Sequence, residues 1–160
     1  IDKIMAQICV YKHKAPFYKE TINLLDKILV KEFKTLVEFN MYSTQMIAEY
    51  LEINTRLGKY TNYKIDIKKD EIGKSDWGRI IAHHFDASHY INAPGGESFI
   101  FADGFSDLNM ELGFIQPNLL PYNQYSERFV EGLSIIDVLM FNGVEKTKEL
   151  VKEYHVKWKN

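Results

Sequence analysis

The stretch "RIIAHHFDASHYINAPGG", Arg79 to Gly96, passes from helical spacing through a short alternating run into a Pro-Gly-Gly turn. With the residues before it, "SDWGRIIAHHFDA" predicts a helix with Ser75 or Asp76 as N-cap. An advance of about 100° per residue puts Trp77, Ile80, Ile81, His84 and Phe85 on one side. The same rotation groups Asp76, Arg79, His83 and Asp86 on another. "SHYINA" then predicts an interior strand, because Ile91 and the apolar helices around it ask for cover on both faces.

Outward from this helix, strand and turn, the same alternation continues. A helix is predicted from about Ala15 to Val30, with Pro16 in its first turn and Tyr18, Ile22, Leu25 and Leu29 at helical spacing. A second, about Lys34 to Leu51, carries the stripe Val37, Met41, Thr44, Ala48 and Leu51, widened by Leu36, Phe39, Ile47 and Tyr50, which predicts deep packing. In "YKIDIKK", Tyr63, Ile65 and Ile67 alternate with polar residues as in a half-exposed strand. A short helix through about Ser98 to Asp107, a strand at "LGFIQ" and an irregular, proline-bounded "PNLLPYNQY" follow. "LSIIDVLMFNG" predicts a helix closed by Asn142-Gly143, and Val144, Val151, Tyr154 and Trp158 stripe a terminal helix. Helices alternating with short strands predict a layered α/β fold, helices packed on a mostly parallel sheet.

The 160 residues, 46% of them hydrophobic, suffice for one domain with a real core, so a single domain is expected. A formal charge of -2 gives no general attraction to nucleic acid or to an anionic membrane surface. No apolar run reaches the length of a membrane span, so neither nucleic acid nor membrane insertion is expected. Cys9 is the single cysteine and lies in an apolar run, which excludes an intrachain disulfide and favours a reducing, cytoplasmic setting. It reads as a buried small hydrophobe, with a reactive thiol as the second reading.

Several polar residues admit both a local and a chemical reading. His84 falls in the apolar stripe and is expected as a buried core histidine. His83 shares a polar face with two carboxylates and Arg79, the pattern of a solvated helix face and equally of a tuned acid or base. His83, Asp86 and His89 do not share one face, which argues against a metal, and no cofactor is implied. In "YINAPGG", Tyr90 and Asn92 alternate on one side of the strand, and Gly95 and Gly96 sit where a loop leaves a strand's carboxyl end. There they serve a tight turn of positive φ or an anion site. In "LSIID", Ser134 as N-cap with Asp137 three residues on forms a capping-box pair, or leaves a helix start open to an anionic ligand.

Taken together, "YKHKAPFY" (Tyr11 to Tyr18), "GRIIAHHFDASHYINAPGG" with Arg79, "PYNQYSERF" with Tyr122 and Gln124, and "GLSIIDVLMFNG" (Gly132 to Gly143) resemble the WbqC-like family. That family is found with bacterial surface-polysaccharide genes. The resemblance implies decoration of a sugar or its nucleotide-linked precursor by acyl or aminoacyl transfer to an amino sugar. Its partner is then a sugar nucleotide or carrier-linked small molecule. Such chemistry needs a base, His83 or Asp137, and donors for an oxyanion and a phosphate. Arg79, Tyr90, Asn92, Gly95, Gly96, Tyr122, Gln124 and Ser134 are the candidate ligand-binding residues, and those from the "YINAPGG", "PYNQY" and "LSIID" segments are expected to share a cleft with Asp137. Members of the family usually open with a strand and a His-Gln-Pro-Asn-Tyr-Leu-Pro segment. "QPNLLP" at Gln116 to Pro121 is similar but lies elsewhere and lacks the histidine. The native protein is therefore expected to extend before Ile1, with these residues as its carboxyl-terminal part, inactive alone if the chemistry uses that histidine. An enzyme and a non-catalytic sugar-nucleotide-binding or assembly module are the two functional classes that fit.

Overall fold

The computed structural model describes residues 2–65, 73 and 76–159. In chain order they form α1 (Asp2–Ile8), α2 (Tyr18–Leu29), α3 (Leu36–Tyr50), α4 (Asp76–His84), β1 (His89–Asn92), α5 (Asp103–Ser106), β2 (Glu111–Pro117), α6 (Ile135–Leu150) and β3 (Tyr154–Lys159). Single 3-10 turns lie at Cys9–Tyr11, Tyr60–Asn62 and Pro94–Gly96. Cys9 is exposed rather than buried, because neither α1 nor the turn that follows it buries a residue. The chain divides into two compact units, Ile1–Gly58 with Leu119–Glu153 and Lys59–Asn118 with Tyr154–Asn160. Of the strand expected at "YKIDIKK", residues 66–69 lie outside the described residues, and 63–65 form no strand.

The second unit is organised by β2. Leu112, Gly113 and Phe114 are buried in succession, as in a strand covered on both faces. It pairs in parallel with β1 and antiparallel with β3, giving a three-stranded mixed sheet in the order β1-β2-β3. The sheet is thus not mostly parallel, and the helix expected through Trp158 ends at Leu150. Tyr154 and Trp158 stand four apart, a spacing that satisfies a helical stripe and a strand face equally. The finer alternation Tyr154, Val156, Trp158 against His155, Lys157, Lys159 is the strand signal. "SHYINA" is a strand but, among the described residues, an edge one, with Ile91 47% exposed, because the buried run of β2 takes the central place. On one face Leu112 and Phe114 join Ile100, Ala102, Phe105 and Met110 in the core, with Ala82, Tyr90 and Leu108 packed against it. Between Ser98 and Asp107 only Asp103–Ser106 is α-helical, since buried Ile100 sits between exposed Phe99 and Phe101 in non-helical chain.

The first unit packs α2 against α3 and α6, with Leu24, Ile28, Leu51 and Leu139 in its core. Thr35 caps α3 by accepting the Glu38 N–H at 3.2 Å. The breadth of α3's apolar face does not translate into deep burial: no residue of the helix is buried, and Leu36 and Val37 are exposed. The helix touches the core only through the partly buried Phe39 of its first turn and Met46, Ile47 and Tyr50 of its last turns.

Three helices end on left-handed residues other than glycine. After α4 the Ala87 N–H reaches the Ala82 carbonyl and the Asp86 N–H that of His83, a Schellman closure with Asp86 at φ 51°. Glu52 and Asn109 close α3 and α5 in the same way. Asp86 therefore falls beyond the helix and leaves the polar face on which the sequence placed it. His84, in the last turn, is exposed rather than buried, its ring beside Phe85 and Tyr63.

α6 breaks where a stop was expected. Gly143, at φ 66° and ψ -174°, kinks the helix, which then resumes to Leu150. The Met140 carbonyl accepts the Phe17 N–H at 3.0 Å, and the Phe17 ring occupies the space a Cβ on Gly143 would need, with Cε1 2.7 Å away. Left-handed φ and the missing side chain are thus both required. Gly143→Ala should destabilise the protein by about 1–3 kcal/mol, read as a lower urea midpoint at unchanged slope.

Candidate functional site

The Ser134 hydroxyl caps α6 by accepting the Ile136 N–H at 3.3 Å, as the sequence predicts. The other half of the expected capping box is replaced. Asp137, only 6% exposed, accepts the Tyr11 hydroxyl on Oδ2 at 2.7 Å and the Tyr122 hydroxyl on Oδ1 at 2.6 Å. A carboxylate in the first turn of a helix is favoured by the backbone dipole. Two phenol donors replace the water it gives up.

Each phenol comes from a different segment. Tyr11 ends the Cys9–Tyr11 turn, and its edge meets Phe141 at 5.8 Å. Tyr122 lies in the irregular chain after β2, edge-on to Phe129 at 5.4 Å. Gln124 holds that chain in shape: its Nε2 donates to the Val130 carbonyl at 2.8 Å and its Oε1 accepts the Val130 N–H at 2.7 Å. One amide thereby imitates a strand pairing.

Burial, and then the hydrogen bond to Asp137, push both phenols up to about 12. Unfolded tyrosines release their protons near 10, so the folded chain holds these two protons where the unfolded chain does not. Their contribution to stability is complete below pH 10 and is lost as pH rises towards 12.

In the other unit the predicted residues are engaged with one another. Tyr90 and Asn92 do project to one side of β1, Asn92 Nδ2 donating to the Tyr90 hydroxyl at 3.0 Å. That side is the packed one, where Tyr90 stacks on Phe105 at 5.2 Å and lies so close to α4 that a Cβ on Gly78 would meet its hydroxyl. Neither Gly95 nor Gly96 has positive φ; with Pro94 they form a 3-10 turn. Gly96 is buried, its N–H donates to the Ala93 carbonyl at 3.0 Å, and a Cβ there would stand 3.0 Å from Ile100 Cδ1. Gly95 faces open space. Arg79 pairs with Asp76 at 3.1 Å, and Asp76 is held below the usual carboxylate range by the Gly73 N–H and then by Arg79. His83 is exposed and makes no side-chain hydrogen bond among the described residues.

The eight residues expected in one cleft thus fall into two groups. Ser134, Asp137, Tyr122 and Gln124 belong to the first unit, and Tyr90, Asn92, Gly95 and Gly96 to the second. Asp137 meets Tyr122 directly, and it also meets Tyr11, which the sequence did not single out. A partner 126 positions away leaves no spacing signal, and only its place in "YKHKAPFY" hinted at it.

A model of the WbqC-like protein family matches residues 1–149, taking in all three members of the Tyr11, Asp137 and Tyr122 cluster. The chain belongs to the WbqC-like protein family. No curated protein and no solved structure gives a significant match.

Two outcomes check the cluster of this WbqC-like chain. Tyr11→Phe and Tyr122→Phe should each cost about 1–3 kcal/mol, because each withdraws a donor from a buried carboxylate. In a double-mutant cycle the two losses should not add. Absorbance at 295 nm should show that, of the tyrosines titrating late in the wild type, two titrate earlier in Asp137→Asn, with unfolding of the wild type setting in between pH 10 and 12.

Proposed function

We propose that this chain serves bacterial surface-polysaccharide biosynthesis as a sugar-modifying transferase, passing an acyl or aminoacyl group to an amino sugar. What supports the reading is the way Asp137 turns two phenols. A phenol has one proton, and Tyr11 and Tyr122 both give theirs to Asp137. Each therefore offers only acceptor lone pairs to an approaching group, strengthened by the bond to a carboxylate. A sugar amine or hydroxyl is a donor of that kind.

In the transfer, the amine nitrogen attacks the carbonyl carbon of the acyl donor. The new N–C bond forms and the bond from that carbon to the donor's thiol breaks. The proton lost by nitrogen goes to a phenol oxygen as the phenol's own proton moves to Asp137; the departing thiolate then takes a proton from that phenol as Asp137 returns its own, which regenerates both groups. Of the two candidate bases, Asp137 has such a relay, and His83 stands exposed on α4. With a thioester as the donor, acyl transfer changes no oxidation state, so no oxidant or reductant enters.

The second reading, a non-catalytic sugar-nucleotide-binding or assembly module, is favoured by one observation. Both Asp137 oxygens already carry a hydrogen bond, which suits a fixed binding wall. The two are separated by incubating the full-length protein with a nucleoside-diphosphate amino sugar and acetyl- or glycyl-coenzyme A, following mass gain of the sugar. Transfer that falls roughly a hundredfold in Tyr122→Phe, with the circular dichroism unchanged, supports the transferase. Binding of the sugar nucleotide with no mass gain supports the module.

A further inference from the structure

The family-matching stretch "YKHKAPFY" carries Lys12, His13 and Lys14 in succession. Basic runs on protein surfaces are usually mobile and solvated, but this one is fastened at both ends. Before it, the Tyr11 hydroxyl is bound to Asp137, and the Tyr11 carbonyl accepts the N–H groups of Lys14 and Ala15 at 3.0 and 2.8 Å. After it, the Phe17 N–H is bound to the Met140 carbonyl and the Phe17 ring fills the kink at Gly143. Lys14 turns aside to lie over the Tyr125 ring at 5.8 Å. Lys12 and His13, joined by Lys19 from the first turn of α2, line a cavity of about 530 Å³. Tyr18 and Glu20 also line it.

Two lysines and a histidine thus line the cavity with one carboxylate, so that with histidine neutral the lining carries a formal charge of +1 (two Lys less one Glu) in a chain whose formal charge is -2. The cavity concentrates positive charge that the whole molecule does not have, and its loop loses little freedom when an anion arrives. We propose that this cavity binds the diphosphate of the acceptor sugar, with Lys12, His13 and Lys19 donating to phosphate oxygens and Glu20 accepting a sugar hydroxyl. This deepens the transferase reading by naming a diphosphate ester as the class of substrate, and it rests on that reading for the sugar alone. Tyr11 acts here as a positioning residue, holding the loop that presents the cations.

The test is titration of the full-length, ¹⁵N-labelled protein with inorganic pyrophosphate, UDP and geranyl diphosphate. Amide shifts should concentrate on residues 12–20, and affinity should fall roughly tenfold or more in Lys12→Gln/Lys19→Gln, and steeply with salt. Lys12→Arg/Lys19→Arg should keep it, and Tyr11→Phe should weaken it with both lysines present. A stronger response to UDP than to pyrophosphate assigns a nucleotide, and a stronger response to geranyl diphosphate assigns a lipid carrier. Shifts scattered over other lysines, or unchanged affinity in the double glutamine variant, overturn the proposal. If group transfer occurs at the wild-type rate in that variant, this inference fails and the transferase reading stands. If pyrophosphate binds here and nothing is transferred, the reverse holds.

Discussion

The Asp137 carboxylate is the constraint on which the first unit depends. A charge 6% exposed must be compensated in place, and its compensation comes from Tyr11 and Tyr122, residues of two otherwise unrelated segments. The turn that ends at Tyr11 is a single 3-10 turn, and the irregular chain that carries Tyr122 has no sheet or helix ladder to fix it. Their attachment to the first turn of α6 takes that place. The kink at Gly143 works in the same direction, because it releases the Met140 carbonyl to receive Phe17 and so fastens the loop's other end.

The elements legible in the sequence were those whose signal is local and single-valued. Periodicity gave the helices around Tyr18–Leu29 and Leu36–Tyr50, the strand at His89–Asn92, and the run "LGFIQ" inside β2. Ser134 as a cap and Asn142-Gly143 as a break were visible from residue chemistry. Where a spacing served two periods, the reading failed. Tyr154 and Trp158 fit a helix as well as a strand, and the strand won because β2 offered an open edge to pair with. His84 lay in an apolar stripe, yet α4 closes immediately after it, so the stripe there meets solvent.

The site was legible in part, for the same reason. Ser134 and Asp137 at capping-box spacing announced a helix start, and the local rule then assigned Asp137 to the backbone. What it could not contain was a competing partner from the other end of the chain. A cap is worth about 1 kcal/mol, whereas a hydrogen bond to a charged group contributes about 1.5–3 kcal/mol. Two phenols therefore draw the carboxylate away from the backbone. In the second unit the balance runs the other way: Tyr90, Asn92 and Arg79 find partners among their near neighbours, and Gly96 is small because Ile100 packs over it.

Stability alone accounts for a buried carboxylate with two donors, and it would be satisfied by any two donors of suitable reach. What it does not require is that both be phenols. A lysine or arginine would neutralise the charge but would keep only donors for a ligand, having no lone pair to offer. Serine would be too short to cross from these loops. A phenol satisfies Asp137 with its one proton and still carries an acceptor oxygen, made more basic by the carboxylate behind it. The same bonds that fasten the loops thus leave each phenol oxygen its lone pairs. Because Tyr11 directly precedes Lys12 and His13, the bond that orients this acceptor also fixes the first of the cations beside it.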